Sequence, residues 1–301
     1  MPRRHVPVYF SPDYVLARHE FDTTRKSSWV WQSLVEAPLV GIEPRAPELL
    51  SEAELCEVHD ATYVAAVRSG VPLELAESQG FAWDPALWTM VRASNGGTVA
   101  AARAALAEGC AGSLSSGLHH ARRGHGMGSC TFNGLALAAR AACVHGARHI
   151  LVLDLDAHCG GGTHSLLADD PRVWQVDVST EDYDRYDPSP RWTLDLVDRA
   201  DAYLPTVAAR LAALEREAPR FDLCIYNAGM DLHEDSGDGA LAGVTGELLA
   251  ERERLVFDWC RRRDIAVAFV LAGGYVSDTL DRDGLVALHR LTLAAATASS
   301  G

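Results

Sequence analysis

The chain has 301 residues, of which 48% are hydrophobic, and this is enough for a substantial core. Its formal net charge is -14, from 41 acidic and 27 basic side chains, which argues against nucleic-acid binding and favours a cationic or neutral ligand. No apolar run approaches the roughly 20 residues that span a bilayer, and the stretch MPRRHVPVYFSPDY lacks the long apolar segment of a secretion signal, so we expect no membrane contact.

Apolar runs alternate with helical patterns along the chain. Because the runs are apolar at consecutive positions, both faces of the sheet should be covered by helices. The predicted fold class is therefore α/β, a three-layer α/β/α arrangement around a central, mainly parallel sheet. In chain order the sequence predicts a strand at 6–10, a helix at 85–109, a strand at 111–116, a helix at 135–146, strands at 149–156 and 172–179, an amphipathic helix near 195–218, a strand at 221–229, a helix at 245–263 and a strand at 265–274.

The chain shows no linker-like tract, repeat or low-complexity segment, so one domain over residues 1–301 is predicted. Seven cysteines stand singly, without a CxxC pair, which indicates reduced thiols and a cytoplasmic protein. The amphipathic helix near 195–218 is as typical of core packing as of a dimer interface, so a homo-oligomer stays open.

The segment DLDAH ends one predicted strand with a row of polar groups. Side chains alternate along an extended segment, so Asp154, Asp156 and His158 should point to one side. Acids at a strand end can merely cap a loop, but metal ligation explains the histidine as well. In parallel sheets, ligands bind beyond the carboxyl ends of the strands, which is where this row lies.

A second polar cluster, MDLHEDSGDG, follows the strand at 221–229. Asp231 and His233 continue that strand, while Glu234, Asp235 and Asp238 are typical of a solvated loop or a helix cap. Asp231 could join Asp156 and His158 in a three-ligand site with open positions, as catalytic metal sites require. The ion would be zinc or ferrous iron.

Histidines and a tyrosine follow two further strands. His119 and His120 stand in tandem and could act as acid and base near neutral pH, whereas His125 in the glycine-rich loop is interpreted as an ordinary surface or core residue. Tyr275 ends LAGGY, where its hydroxyl could donate to a developing oxyanion. The glycines before it, Gly273 and Gly274, let the backbone approach a ligand and are predicted to contact substrate.

These clusters resemble the motifs of the histone deacetylase family, which includes bacterial acetylpolyamine amidohydrolases and acetoin-utilisation proteins and has the arginase/deacetylase fold. The resemblance implies a hydrolase that removes an acetyl or other acyl group from an amine, such as an acyl-lysine, an acylpolyamine or a small N-acyl amide. The matching motifs are GLHHA (117–121), DLDAHCGGGT (154–163), AGMDLH (228–233) and LAGGY (271–275), with weaker similarity at 21–34 and 58–67.

The resemblance also implies the ligands of two cations. Asp156, His158 and Asp231 would hold a catalytic Zn²⁺, with Fe²⁺ as the alternative ion. A structural K⁺ would bind partly through backbone carbonyls. Its residues would be Asp154, Asp156, His158, Ser179 and Thr180.

Roles for the remaining site residues follow from the same resemblance. His120 would be the general base that takes a proton from the attacking water and later protonates the amine. His119 would assist electrostatically, oriented by Asp154. Tyr275 would bind the amide oxygen opposite the metal.

The sequence departs from the family pattern in three places. Gly161 stands where the family has the aspartate that supports the second histidine of the tandem, so activity should be weakened unless another acid substitutes. Ser129 replaces a phenylalanine of the substrate tunnel, which predicts a wider or more polar entrance. The segment after Ser179 is short; its tyrosines could line the rim and its acids, Asp182, Asp184 and Asp187, could face a cation, but a solvated acidic turn is an equal alternative.

Two other functions fit part of the pattern. An arginase-like ureohydrolase needs further carboxylates two residues after His158 and two after Asp231, where this chain has Gly160 and His233. A deacetylase-like binding or regulatory protein would explain Gly161, but it would not explain why all the other catalytic groups are present.

Overall fold

The structure, a computed structural model, describes residues 5–19 and 21–298. The first four residues of MPRRHVPVYFSPDY and both ends of the predicted domain 1–301 lie outside these ranges, so the single-domain assignment stays a prediction. Within these ranges no helix combines the length and apolar character that crossing a membrane requires.

Within the described residues, eight strands form one sheet in which every neighbouring pair is parallel. The strands are β1 (Val6–Tyr9), β2 (Ile42–Arg45), β3 (Cys110–Ser113), β4 (Ile150–Asp154), β5 (Val173–Ser179), β6 (Trp192–Leu196), β7 (Leu223–Ala228) and β8 (Ala266–Leu271). Their order across the sheet is β2-β1-β3-β8-β7-β4-β5-β6.

The described part of the chain also has ten α-helices and a short 3-10 helix at Pro12–Val15. The helices are α1 (Asp22–Glu36), α2 (Glu52–Cys56), α3 (Ala61–Ser69), α4 (Leu73–Ala76), α5 (Leu87–Glu108), α6 (Gly134–Val144), α7 (Gly161–Leu167), α8 (Ala200–Glu217), α9 (Gly246–Arg262) and α10 (Arg282–Thr297). The four helices predicted from the sequence correspond to α5, α6, α8 and α9, and all are confirmed.

Two apolar cores lie on opposite faces of the sheet. On β4, Leu151 and Leu153 pack into one core, whereas Ile150 and Val152 pack into the other, as alternation along a strand requires. The first core includes α1, α8, α9 and α10, and the second includes α2, α3, α5 and α6. This confirms the three-layer α/β/α prediction.

Cysteines contribute to both cores as small apolar residues. Among them, Cys130, Cys159, Cys224 and Cys260 are buried free thiols. Burial raises the pKa of Cys130 to about 12, so this thiol stays protonated. These residues agree with the prediction of reduced, structural cysteines.

Candidate metal centre and catalytic site

Two carboxylates and an imidazole converge beyond the carboxyl ends of β4 and β7. Ligand atoms of Asp156, His158 and Asp231 all lie within 4.8 Å of one another, and all three residues are buried. His158 Nδ1 is 3.1 Å from Asp156 Oδ1 and 3.3 Å from Asp231 Oδ2. Because β4 and β7 pair in parallel, the loops that carry these residues leave the sheet side by side. The trio predicted from the sequence therefore forms one cluster.

The trio fits a divalent metal ion. Asp231 Oδ2 is buried and has no hydrogen-bond partner among the described residues. Burial and the nearby charge of Asp156 raise the pKa of Asp231 to about 7. A cation between the two carboxylates would satisfy the orphaned oxygen and remove their repulsion. Two oxygens, one nitrogen and open positions are a donor set that catalytic zinc sites use.

His119 is held by a buried carboxylate at the end of β4. Its Nδ1 lies 2.7 Å from Asp154 Oδ2, and Asp154 Oδ1 accepts a hydrogen bond of 2.8 Å from Asn227 Nδ2. Burial opposes ionisation of His119, but Asp154 and Asp156 outweigh it and raise its pKa to about 10. A cation at the trio would neutralise part of this effect. Asp154 thus orients His119, as predicted, and Asn227 fixes Asp154.

The second histidine of the tandem also has a carboxylate partner, which comes from another part of the chain. Asp184 lies in the loop between β5 and β6, and its Oδ2 is 2.9 Å from His120 Nδ1. The side chain of Asp184 is 0% exposed. The interpretation of this segment as a solvated acidic turn is therefore wrong for Asp184: the loop supplies the carboxylate that position 161 lacks.

The protonation of His120 depends on its surroundings. Burial, then the charge of His119, lowers the pKa of His120 to about 4, while Asp184 acts in the opposite direction. His120 is therefore neutral near pH 7, as a general base must be before it accepts a proton.

Tyr275 follows β8 and lies beside the trio. Burial, then the charges of Asp231 and Asp156, raises the pKa of Tyr275 well above its usual value, so the hydroxyl stays protonated. Its ring packs against Phe21 with a centroid distance of 5.4 Å. A protonated phenol at this place can donate a hydrogen bond to an oxyanion.

The two glycines before Tyr275 contact protein groups. The N–H of Gly273 donates to Asp156 Oδ2 at 2.7 Å. Gly274 has a φ of 144°, and a Cβ there would lie 2.9 Å from His289 Nε2. Both positions need glycine for packing, and their predicted contact with substrate stays a prediction.

Three partly exposed side chains lie beside the trio and His120, and we call this exposed side of the site, formed by Tyr183, Ser129 and Asp238, the entrance. Tyr183 is 44% exposed and meets His120 edge-on with ring centroids 5.0 Å apart. Ser129 is half-buried with a φ of 63° in the loop that passes His120. Asp238, predicted to lie in a solvated loop, is 61% exposed, and its Oδ2 is 3.8 Å from His158 Nε2. The entrance thus combines an aromatic ring, a hydroxyl and a carboxylate.

The predicted K⁺ residues lie together at the ends of β4 and β5. Asp154 pairs in register with Asp177, and burial followed by the charge of Asp154 raises the pKa of Asp177 well above its usual value. Ser179 Oγ donates to Asp177 at 2.7 Å, and the N–H of Thr180 donates to Ala157 O at 2.9 Å. A monovalent cation would offset the two neighbouring acids, and its binding stays a prediction.

Apart from the predicted K⁺ residues, the described part of the chain has no second cluster of His, Cys, Asp and Glu side chains placed to hold a metal ion. Throughout residues 5–19 and 21–298, the trio is the one group of three or more potential ligand residues placed to hold a metal ion. His233 Nδ1 instead accepts a hydrogen bond of 3.2 Å from the N–H of Asp235. His125, interpreted as an ordinary surface or core residue, is exposed. The two-metal ureohydrolase alternative therefore finds no support.

Comparisons with known proteins agree with this geometry. The histone deacetylase domain model matches residues 19–189, which is more than half of the chain. An uncharacterised protein of Picosynechococcus is 34% identical over 295 residues, covering 95% of this chain and 96% of that protein. Histone deacetylase 2 of Arabidopsis thaliana is 26% identical and covers 95% of this chain and 81% of that protein.

A solved structure shows the same fold. Acetylpolyamine aminohydrolase from Burkholderia pseudomallei superposes with a TM-score of 0.79 at 20% identity, covering 97% of this chain and 99% of that one. Fold and family together define a deacetylase-type hydrolase of the three-layer α/β/α class. The chain belongs to the histone deacetylase family.

Proposed function

We propose that this protein is a metal-dependent amidohydrolase that removes an acetyl or other acyl group from an amine. The observation that carries the proposal is the convergence of Asp156, His158 and Asp231 within 4.8 Å, beside the tandem histidines. In this proposal the trio holds Zn²⁺ or Fe²⁺. When bound, such an ion would polarise the amide carbonyl and lower the pKa of water.

The protein groups would move protons and stabilise charge around that centre. Nδ1 of His120 faces Asp184, so Nε2 is the atom that takes a proton from the attacking water and returns it to the leaving amine. His119, fixed by Asp154, stabilises the charge that develops in the transition state. The Tyr275 hydroxyl donates to the oxyanion. The products are a carboxylate and a free amine.

The entrance favours substrates that carry a further positive charge. Asp238 places an exposed carboxylate 3.8 Å from His158, and the chain has a net charge of -14. A second ammonium group on an acylated diamine, or a basic residue beside an acyl-lysine, would be attracted to this surface. Acylpolyamines and acyl-lysine peptides are therefore the first substrates of a panel, with neutral N-acyl amides as the comparison.

The test is a panel assay on metal-reconstituted protein with parallel metal analysis. We expect about one divalent transition metal per chain, deacylation of at least one cationic substrate, and loss of both in Asp231→Ala, because this substitution removes one of three ligands. Asp235→Ala, an acid 42% exposed on the same segment, is the control and should retain both. Full activity in protein stripped of metal would contradict the proposal.

A second variant separates the general base from the metal ligands. His120→Ala should lower kcat by about 100-fold or more while metal content stays that of the wild type. Equal losses of activity and metal would reduce His120 to a structural role.

The regulatory-protein alternative rested on Gly161, and the contact of Asp184 with His120 removes its main argument. The cytoplasmic location, K⁺ binding and oligomeric state stay predictions.

A further inference from the structure

We propose that Asp184 is the positioning residue for His120. Its carboxylate takes the place of the aspartate that the family pattern has at position 161, where this chain has Gly161. The proposal depends on the proposed function for the role of His120 in catalysis. The contact itself is a separate structural claim. It assigns a task to the loop between β5 and β6 that the sequence motifs do not reveal.

The contacts of Asp184 direct one oxygen to His120. Oδ2 lies 2.9 Å from His120 Nδ1 and also accepts a hydrogen bond of 2.9 Å from the N–H of Gly162. The other oxygen, Oδ1, pairs with Arg122. Arg122 also donates from Nη1 to Gly161 O at 3.0 Å, which ties the carboxylate to the first turn of α7. With both oxygens occupied, the carboxylate cannot rotate away from the ring.

Gly161 and Asp184 occupy complementary space. A Cβ at position 161 would lie 2.1 Å from the backbone oxygen of Asp184 and 2.6 Å from its Oδ1. Any side chain at 161 would therefore displace the loop. Because position 161 is a glycine, it has no carboxylate of its own, and it leaves the space that the Asp184 side chain occupies.

The loop holds Asp184 in an unfavourable backbone conformation. Its φ is 60°, in the left-handed region that residues other than glycine rarely adopt. Neighbouring contacts stabilise this arrangement: Tyr183 O accepts from the N–H of Cys159 at 3.0 Å, and the Tyr186 hydroxyl donates to Thr193 O at 2.8 Å. Strain that is maintained in this way is typical of residues with a functional task.

A purely structural role would make Asp184 only the partner of Arg122. The two roles differ in what they predict for the His120 ring. A carboxylate at Nδ1 accepts a hydrogen bond and so fixes the tautomer with the proton on Nδ1, leaving Nε2 free as the base. An asparagine at 184 could instead donate to Nδ1 and stabilise the other tautomer.

The experiment compares Asp184→Asn with the wild type in the full chain. In the metal-loaded enzyme we expect kcat to fall about 100-fold, KM to change less than about threefold, and metal content to stay constant. In the metal-free protein, ¹⁵N NMR of the histidine rings should show His120 with its proton on Nδ1 in the wild type and a shifted tautomer in the variant. The His120 signal is assigned by its loss in His120→Gln.

Asp187→Asn is the matched control, since Asp187 is an exposed acid on the same loop. It should leave kcat and the His120 signal unchanged. A kcat within about threefold of the wild type for Asp184→Asn, or an unchanged tautomer, would overturn the proposal. If the wild type hydrolyses no member of the panel, the proposed function fails, whereas the NMR measurement still decides whether Asp184 positions His120.

Gly161→Ala is a second variant that tests the contact between Asp184 and His120, and it changes no titratable group. Its Cβ should displace Asp184 and lower kcat in the same direction as Asp184→Asn. Because both changes would break one contact, the double variant should be no slower than the slower single variant. If the double variant instead lowered kcat by the product of the two single effects, position 161 would act on catalysis independently of Asp184.

Discussion

Two glycines keep side chains out of the space that the catalytic groups need. Gly161 leaves room for the Asp184 loop, and Gly273 lies against two of the proposed metal ligands. A Cβ at 273 would be 2.0 Å from Asp231 Oδ2 and 2.7 Å from Asp156 Oδ2. Both contacts are far below van der Waals distance, so one ligand would have to move. The geometry of the trio therefore depends on a residue that coordinates nothing.

This dependence predicts that Gly273→Ala loses metal. The new methyl group would displace Asp231 and disturb the hydrogen bond from Gly273 N–H to Asp156, so we expect metal affinity to fall by about 10- to 100-fold. The metal affinity is measured from the metal content that remains after dialysis against a chelator of known affinity. Activity should be partly recovered at saturating metal.

Gly246→Ala is the control for adding a methyl group elsewhere. The nearest atom to a Cβ at 246 is Leu288 Cδ2 at 3.5 Å, an ordinary contact at the start of α9. Its metal affinity should equal that of the wild type. Unchanged metal binding in Gly273→Ala would show that the loop after β8 adapts without disturbing the ligands.

The chemistry of single residues was predictable only where a motif fixes their geometry. The alternation predicted for DLDAH was sufficient to group Asp156 with His158, although β4 ends at Asp154 and both residues lie in the loop that follows it. Nothing in the spacing of Asp182, Asp184 and Asp187 tells which of them turns inwards. That choice depends on the space at Gly161 and on the charge of Arg122, which are neighbours only in the folded chain.

At the scale of elements, α9 supports the loop of the proposed metal centre through a buried ion pair. The Arg252 and Glu253 side chains are 0% and 1% exposed, with Arg252 Nη2 2.6 Å from Glu253 Oε1. Arg252 also donates from Nη1 to Leu155 O at 3.2 Å, next to the ligand Asp156. The Tyr226 hydroxyl on β7 donates to the same Glu253 oxygen at 2.7 Å. Helix α9, strand β7 and the loop that carries Asp156 are thus connected by one buried network.

Removing one partner of the Arg252–Glu253 ion pair should destabilise the folded protein. Arg252→Met would leave the Glu253 carboxylate buried with Tyr226 as its remaining partner, so we expect the free energy of unfolding to fall by about 3 kcal/mol or more. The double variant Arg252→Met/Glu253→Gln should lose less, because no uncompensated charge is buried. Urea denaturation followed by circular dichroism measures both.

The exposed neighbour Arg254 is the control for this prediction, and Arg254→Met should change stability by less than about 0.5 kcal/mol. If the double variant were as unstable as Arg252→Met, the loss would come from packing or from the hydrogen bond to Leu155, not from the unpaired acid.

The elements of the sheet centre were predictable, and those of its edges were not. The six strands with consecutive apolar residues were found because both of their faces are buried. The edge strands β2 and β6 were missed. β2 contains Pro44 and is only partly buried, and β6 reads WTLDL with an exposed end, so neither shows the pattern of a central strand.

At the scale of the whole molecule, net charge and the acidic entrance should act together on cationic substrates. The chain carries a formal charge of -14, and Asp238 contributes one exposed carboxylate beside the metal centre. Long-range attraction of this kind acts mainly on association and is screened by salt, with a Debye length of about 10 Å at 0.1 M. It would raise kcat/KM for a charged substrate without changing the chemical step.

The resulting prediction concerns ionic strength. For an acetylated diamine with a free ammonium group, kcat/KM should fall several-fold between about 20 mM and about 200 mM salt, whereas kcat should stay constant. A neutral N-acetyl amide of similar length should show no such dependence, which separates substrate attraction from a general effect of salt on the enzyme. Asp238→Asn should weaken the dependence for the diamine, because it removes an exposed acid that lies 3.8 Å from His158. Equal salt dependence for the charged and neutral substrates would mean that the acidic surface serves solubility and takes no part in selecting the amine.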